Sequence, residues 1–484
     1  MLRPAMHRPA AHSPMMLTGP NRSDCRALLG LSGGVRLLLA VACALLLTMV
    51  AGGVAWAAPH DTVAQRDRDE DVRLERFGPP AVALVGIVGT VVAARRRRLG
   101  LARALRMGTP LLALVLALVP LVMIGPRPLN RQPSPDAQEY ADAARHLAAG
   151  EGYFVTIRRG EVQPSRYPPG FALALAPFGL AGAYPANVQT GAKLYAMLYL
   201  VITVAAAWIV AGPVAAAVAI ALVGSSPFAV RYASLVMSDA FAAALTVAML
   251  PLVHVPTTRR LLLAGLVAAA LLLVRLSGIL TIVAALAAVV PHVGWRGRTV
   301  LLAGGALGVA LLGLQQWWTF GNPLMTGYQY ALPEVRTFGL DYPFDPDQRR
   351  DGSGVVADSL DGALLRWVCP CPEDDPLFAF PGLPLYVLVI LGLFWIFVPP
   401  LTTIPGLLEI WERRREPGPT FVLWLTILTV IFHVFYWYLG ARFVAGPVTL
   451  LAIYTGAWVA RRVARWEVGP AAGTVVRAKA ANSA

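Results

Sequence analysis

Arg259-Arg260-Leu261-Leu262-Leu263-Ala264-Gly265-Leu266-Val267-Ala268-Ala269-Ala270-Leu271-Leu272-Leu273-Val274-Arg275-Leu276-Ser277-Gly278 is the stretch on which the reading of the fold turns. An apolar run, 261–274, is followed at once by a second, 278–291. Runs of this kind, bounded by arginine and broken by Ser-Gly, read as two helices in hydrocarbon, where the backbone must satisfy its own hydrogen bonds. Each is about 14 residues, or roughly 21 Å of helix against a hydrocarbon thickness of about 30 Å. The turn Arg275-Leu276-Ser277 therefore falls short of the outer surface. An arginine held there needs a water-filled or protein-lined hollow and a counter-charge.

The rest of the chain extends the pattern. Hydrophobic residues make up 57% of the 484, charged residues 14%, and the mean hydropathy is +0.61. A soluble domain carries roughly 25% charged residues, so this chain has too little polar surface for one. Expected membrane spans are 35–58, 80–94, 109–125, 188–210, 213–229, 239–255, 261–274, 278–291, 299–319, 384–402, 421–438 and 443–460. The fold class is all-α, polytopic, with about twelve spans. Ala55-Trp56-Ala57 resembles a signal-peptidase site, but the basic segment before it is too long, so the first span reads as uncleaved. The net charge of +14 sits in short arginine clusters between apolar runs, the signature of the positive-inside rule and not of nucleic-acid binding. Cys25, Cys43, Cys369 and Cys371 form no disulfide framework; Cys369-Pro-Cys371 reads as two thiols sooner than a strained local bridge. Arginine in place of lysine, with abundant Ala, Gly and Pro, suggests a GC-rich bacterial genome.

Orientation follows from the arginines. With the tail carrying Arg22, Arg26 and Arg36 in the cytoplasm, Arg95–Arg98, Arg259/Arg260, Arg296/Arg298, Arg413–Arg415 and Arg461/Arg462/Arg465 all return there. Both termini are then cytoplasmic in a bacterial inner membrane, and the two long segments, 126–170 and 321–383, face outward. The expected organisation is an N-terminal tail and extra helical hairpin (1–107), a transmembrane module (108–320), a large outer loop (321–383), C-terminal spans (384–460) and a basic tail (461–484).

The first outer segment carries Pro133-Ser134-Pro135-Asp136-Ala137-Gln138-Glu139-Tyr140, the start of a helix that Gly150 and Gly152 end. Tyr140, Ala143, Ala144 and Leu147 share one face, while Gln138, Asp142, Arg145 and His146 lie largely on the other, as in a helix lying along the membrane interface. Asp136-x-x-Glu139 fits a capping box. Asp136 also stands where a carboxylate could take a proton from an acceptor hydroxyl, and the two roles can coexist. Downstream, Ser165-Arg166-Tyr167-Pro168-Pro169-Gly170-Phe171 is a rigid extended approach to the membrane, with Arg166 either an interfacial anchor or a phosphate ligand.

The order of these motifs resembles the GT-C superfamily, in particular the branch of protein O-mannosyltransferases and lipid A aminoarabinose transferases. The likeness rests on Pro135–Tyr140, Ala144-x-x-Leu147-x-x-Gly150-x-Gly152-Tyr153, Tyr167-Pro168-Pro169-Gly170-Phe171, Ser238-Asp239, Phe320-Gly321-Asn322-Pro323-Leu324-x-x-Gly327-Tyr328 and Gly440-Ala441-Arg442-Phe443. It spans most of 108–460. It implies a membrane glycosyltransferase that moves a sugar from a polyprenyl-phosphate donor to an outer-face glycan, lipid or protein, with Asp136 as general base. Two departures stand out. Ala137 follows Asp136 where the mannosyltransferases have an acidic residue, and Arg166-Tyr167 precedes the paired prolines where the aminoarabinose transferases have lysine.

For substrate binding the candidates are Arg275 first, then Arg166, Tyr167, Glu139, Tyr328, Asp239, Arg231 and Arg442. Arg231 is an expected partner of Asp239, whose other reading is a plain helix start after Ser238. Lys193 reads as a snorkelling side chain. Phe338, Tyr342, Phe344, Tyr330 and Tyr328 would stack on sugar or form an interfacial belt. Asp345, Asp347, Glu373, Asp374 and Asp375 match no calcium-loop spacing, so no metal ligand is assigned and no cofactor is indicated, a divalent cation remaining the alternative. Asp136 and Arg275 are expected to share one outer hollow. Two other functions compete: a secondary transporter, although no internal repeat relates the halves, and a non-catalytic lipid-sugar-binding membrane protein.

Overall fold

The computed structural model describes residues 136–156, 161–180, 184–224, 235–331, 400–435 and 441–481, with Gly108, Val115 and Leu129 as isolated positions. The expected spans 35–58, 80–94 and 109–125, most of 384–402, Arg231, the four cysteines and the loop residues from 332 to 383 lie outside these. So does the signal-peptidase-like Ala55-Trp56-Ala57.

Among the described residues the architecture is helical. The only pairing of extended backbone found there is an isolated antiparallel bridge between Val155 and Gln163. The elements run α1 (Asp136–Ala148), α2 (Gly170–Gly179), α3 (Ala186–Gly224), α4 (Asp239–His254), α5 (Thr258–Val274), α6 (Gly278–Val289), α7 (Trp295–Phe320), α8 (Gly327–Ala331), α9 (Pro400–Glu412), α10 (Pro417–Phe435), a 3-10 turn (Ala441–Val444) and α11 (Ala445–Ala481). Two of them, α3 and α7, are long and apolar enough to cross a membrane. On α7 apolar side chains face outward, Trp318 to 86% exposure, as suits a helix whose solvent is lipid.

Several expected boundaries are met within a few residues. The two spans expected at 188–210 and 213–229 form α3, whose helical geometry breaks at Gly212 (φ 83, ψ −175) just before Pro213. That backbone conformation suits glycine, and proline removes the next donor. The run expected at 261–274 begins earlier, at Thr258, because Thr257 accepts a bond from the Arg260 amide and caps the helix. The last helix runs on to Ala481, so the basic tail is helical over most of its length.

Helix pairs α5/α7, α3/α4, α3/α11, α9/α11 and α6/α10 make the bundle. Its core holds Tyr199, Leu250, Leu261, Ile282, Phe421 and Tyr454, all buried. Small residues set the closest approach. A Cβ at Gly265 would stand 3.0 Å from Gly304 Cα, and one at Gly304 would overlap the Gly265 backbone. This is helix packing through small residues, with backbones in contact. Gly304→Ala is expected to lower stability by about 1–3 kcal/mol, the usual cost of overpacking. Thermal unfolding in nanodiscs would read it against Gly313→Ala, whose added methyl meets only atoms at 3.8 Å.

Polar side chains gather at both tips of α4. At one are Ser238, Asp239 and Arg275. At the other, roughly 23 Å away at 1.5 Å per residue, His254 stands beside the α9–α10 turn. There Glu409, fully buried, accepts from both Arg413 and Arg461, Arg461 also reaches Glu412 at 2.6 Å, and Arg413 binds Glu416 at 2.5 Å. Arg413 and Arg461, from two of the arginine clusters that the charge rule put on one side, thus meet at one end of the helices.

Candidate functional site

The site is built at the Asp239 end, from α1, the segment before α2, and the tips of α4, α5, α8 and α11. Asp136 opens α1, and Tyr140 follows one helical turn later on the same face. The Tyr167 hydroxyl donates to Asp136 Oδ1 at 2.5 Å. The Tyr140 ring stacks on Tyr167 with centroids 4.6 Å apart and meets the Phe171 edge at 5.0 Å. From Tyr140 the hydroxyl donates to Ser238 Oγ at 3.0 Å. The next residue, Asp239, accepts from Arg275 Nη1, and the Arg275 guanidinium lies 4.5 Å from the Phe443 ring centroid. An unbroken line of contacts therefore runs from Asp136 through Tyr167, Tyr140, Ser238 and Asp239 to Arg275.

Burial sets the electrostatics. The Asp239 side chain is 1% exposed and Arg275 15%, so each charge depends on the other. Burial pushes the Tyr140 and Tyr167 hydroxyls well above the ordinary tyrosine range, which keeps both as proton donors. Beside them Arg166 Nε binds Glu139 at 2.6 Å, and the Arg166 amide donates to the same carboxylate at 3.2 Å. Burial disfavours the Arg166 charge, yet the bond to Glu139 holds it above the usual arginine value.

Three expectations change here. The capping-box residue Glu139 is turned to Arg166, so the box gives way to an ion pair across 27 residues of chain. Asp239 takes Arg275 as a partner, while the partner expected for it, Arg231, lies outside the described residues. The polar face of α1 does not lie open as in an interfacial helix. Asp142 and His146 are buried beneath residues 151–156, where Asp142 accepts from the Thr156 amide at 2.6 Å and Oγ1 at 3.0 Å. Arg145 binds Asp142 at 2.8 Å, and His146 meets Glu151 at 2.5 Å and the Phe154 ring at 4.1 Å.

Burial alone would raise the Asp142 value, but the Thr156 and Arg145 bonds hold it below its ordinary 3.8. A depressed folded value means the contribution is complete above about pH 4 and is lost as the pH falls through the lower, folded value. Backbone amides of 151–156 should therefore stay protected near neutrality and open in acid before the α4–α5 pair does, as hydrogen exchange would read.

The remaining candidates fall as follows. Tyr328 meets the Tyr167 edge at 5.5 Å, and Gly327 packs on the Ser165–Arg166 backbone, so α8 closes over the same cluster. Lys193 is buried within α3, not at an exposed tip. Arg442 has its backbone in the 3-10 turn, while its side chain lies outside the described residues. Asp239 and Arg275 line a small open cleft between α4, α6, α10 and the start of α11, with Thr281, Thr429, His433 and Phe443 in its wall. Asp136 is not among its lining residues. It shares the same end of the bundle as Arg275 with Tyr140 between them, which corrects the expectation of one common hollow. Ser238, Phe443 and His433 escaped sequence reasoning as site residues. For Ser238 the adjacency to Asp239 was the signal.

No family model and no curated protein matches the chain. Aminoarabinose transferase ArnT from Cupriavidus metallidurans in the apo state is similar at 16% identity, TM-score 0.46, over 72% of this chain and 58% of that one. The same protein bound to undecaprenyl phosphate is similar at 14%, TM-score 0.46, over 72% and 59%. The Archaeoglobus fulgidus oligosaccharyltransferase AglB, in complex with an inhibitory peptide and a dolichol-phosphate, is similar at 16%, TM-score 0.40, over 72% and 50%. The chain thus spans between half and three fifths of the length of these proteins.

Proposed function

We propose that this chain is a membrane glycosyltransferase that moves a sugar from a polyprenyl-phosphate donor to a hydroxyl of an outer-face glycan, lipid or protein. Asp136 takes the acceptor proton, the acceptor oxygen attacks the anomeric carbon, and the bond from that carbon to the phosphate oxygen breaks with inversion. The departing polyprenyl phosphate carries away the electron pair and gains negative charge, which Arg275 stabilises at the mouth of the cleft. A guanidinium aimed at charge that grows in the transition state suits this step.

The observation that carries the reading is the line of side chains joining Asp136 to the Asp239–Arg275 pair at one end of the bundle. It puts a carboxylate and a cation at opposite ends of a short polar track, beside a cleft between helices through which a lipid-borne donor can approach. The basic clusters at the far end of α4 support an extracytoplasmic position for this end in a bacterial inner membrane, with both termini cytoplasmic. Residues 108–320, with the outer segment 126–170, form the catalytic module.

Purified protein incubated with a panel of polyprenyl-phosphate sugars is expected to release free polyprenyl phosphate from one of them, read by mass spectrometry. Absence of release from the whole panel, with movement of a labelled solute across liposomes, would replace this reading by transport.

A further inference from the structure

Tyr167 stands directly before the paired prolines Pro168 and Pro169. The geometry aims its phenol at the carboxylate that opens α1. Its hydroxyl meets Asp136 Oδ1 at 2.5 Å. The ring is held on one face by Tyr140 at 4.6 Å and by Tyr328 edge-on at 5.5 Å. The backbone is held too. Its carbonyl accepts from the Tyr153 hydroxyl at 2.6 Å, its amide donates to Ser165 Oγ at 3.3 Å, and Pro168 and Pro169 follow. Only 7% of Tyr167 is exposed.

From this we infer that Tyr167 is a positioning residue for the general base, fixing the Asp136 carboxylate by a hydrogen bond, and not a contact to the donor phosphate. The inference rests on the transferase reading above. A buried phenol retains its proton, so it acts as donor and the carboxylate as acceptor, a charge-assisted bond. Among the described residues, Tyr140 on its own helix and Arg166 beside Tyr167 also face Asp136. Arg166 is engaged by Glu139, and Arg275 and Asp239 lie beyond Tyr140. Neither Arg166 nor Tyr167 then serves the phosphate, which falls to Arg275 on the cleft side.

A carboxylate free to rotate loses its alignment with the acceptor, and a misplacement of about 1 Å can cost on the order of 100-fold in rate. Tyr167→Phe, in nanodiscs and with the donor that turns over, is expected to lower kcat by roughly 10–100-fold. Its KM for donor and its binding of undecaprenyl phosphate should both stay within about twofold of the parent. Unchanged kcat, or weakened undecaprenyl phosphate binding, overturns the assignment.

A second measurement needs neither turnover nor that variant. With 3-fluorotyrosine at position 167 of the full chain, the fluorine resonance is expected to move when Asp136→Asn is introduced; a stationary signal overturns the contact. If Asp136→Asn itself transfers sugar at the parental rate, the base reading falls, while the fluorine signal still scores the Tyr167–Asp136 bond separately.

Discussion

Asp136→Asn is expected to reduce sugar transfer by at least about 10²–10⁴-fold, the usual contribution of a positioned general base, while leaving the protein folded. The exchange is nearly isosteric and keeps an oxygen at Oδ1, so the Tyr167 hydroxyl retains its acceptor. The Tyr140–Tyr167 stack and the Tyr140–Ser238 bond do not involve the altered atom. An amide, however, cannot take the acceptor proton. The loss should appear in released polyprenyl phosphate per mole of protein, with an unfolding temperature close to the parent's. Parental turnover in this variant would remove Asp136 from the chemistry.

Arg275→Met should damage both stability and activity. It leaves the Asp239 carboxylate, 1% exposed, without the cation that faces it. Removing one partner of a buried ion pair costs about 3–5 kcal/mol, because the remaining charge is stranded in a medium that solvates it poorly. Replacing both partners with apolar groups of similar size is often neutral. The double variant Arg275→Met/Asp239→Leu is therefore expected to unfold near the parental temperature yet to remain defective in transfer. Loss of one donor to a developing oxyanion costs roughly 10²–10³-fold in kcat. If the double variant regains both properties, the arginine is a structural partner of Asp239 and stabilises no leaving group.

Much of the fold was open to reading because hydrocarbon imposes simple length rules. Runs 239–255, 278–291 and 299–319 appear as α4, α6 and α7 within a few residues, since Pro, Gly and Arg mark their ends. The start of α1 at Asp136 and its end before Gly150, where φ is 74, were equally legible.

Partners distant in sequence were not legible. Helical periodicity gave α1 a polar face, but nothing in a period of 3.6 says that residues 151–156 fold back over Asp142 and His146. Glu139 has the spacing of a capping box, and only the chain's return at Arg166 shows where it points. Arg275 was singled out by the cost of its burial, yet its counter-charge was left unnamed, because Asp239 had been matched to Arg231. The signal lay in topology. α4 and α5 are antiparallel neighbours joined by a short turn, so the first residue of one lies beside the residue ending the other, and Asp239 and Arg275 hold those two places.

The contact between Gly265 and Gly304 has a bearing on where Arg275 can stand. A screw motion of α5 by a single residue, about 1.5 Å along its axis with a turn of about 100°, would drive Ala264 or Leu266 into backbone that tolerates no Cβ. The height of Arg275 is thus set by a ratchet ten residues away. If the proposed transfer holds, variants made to accept a different sugar would have to be recut around a stationary guanidinium, with the variation falling on α1, α8 and the segments that border them.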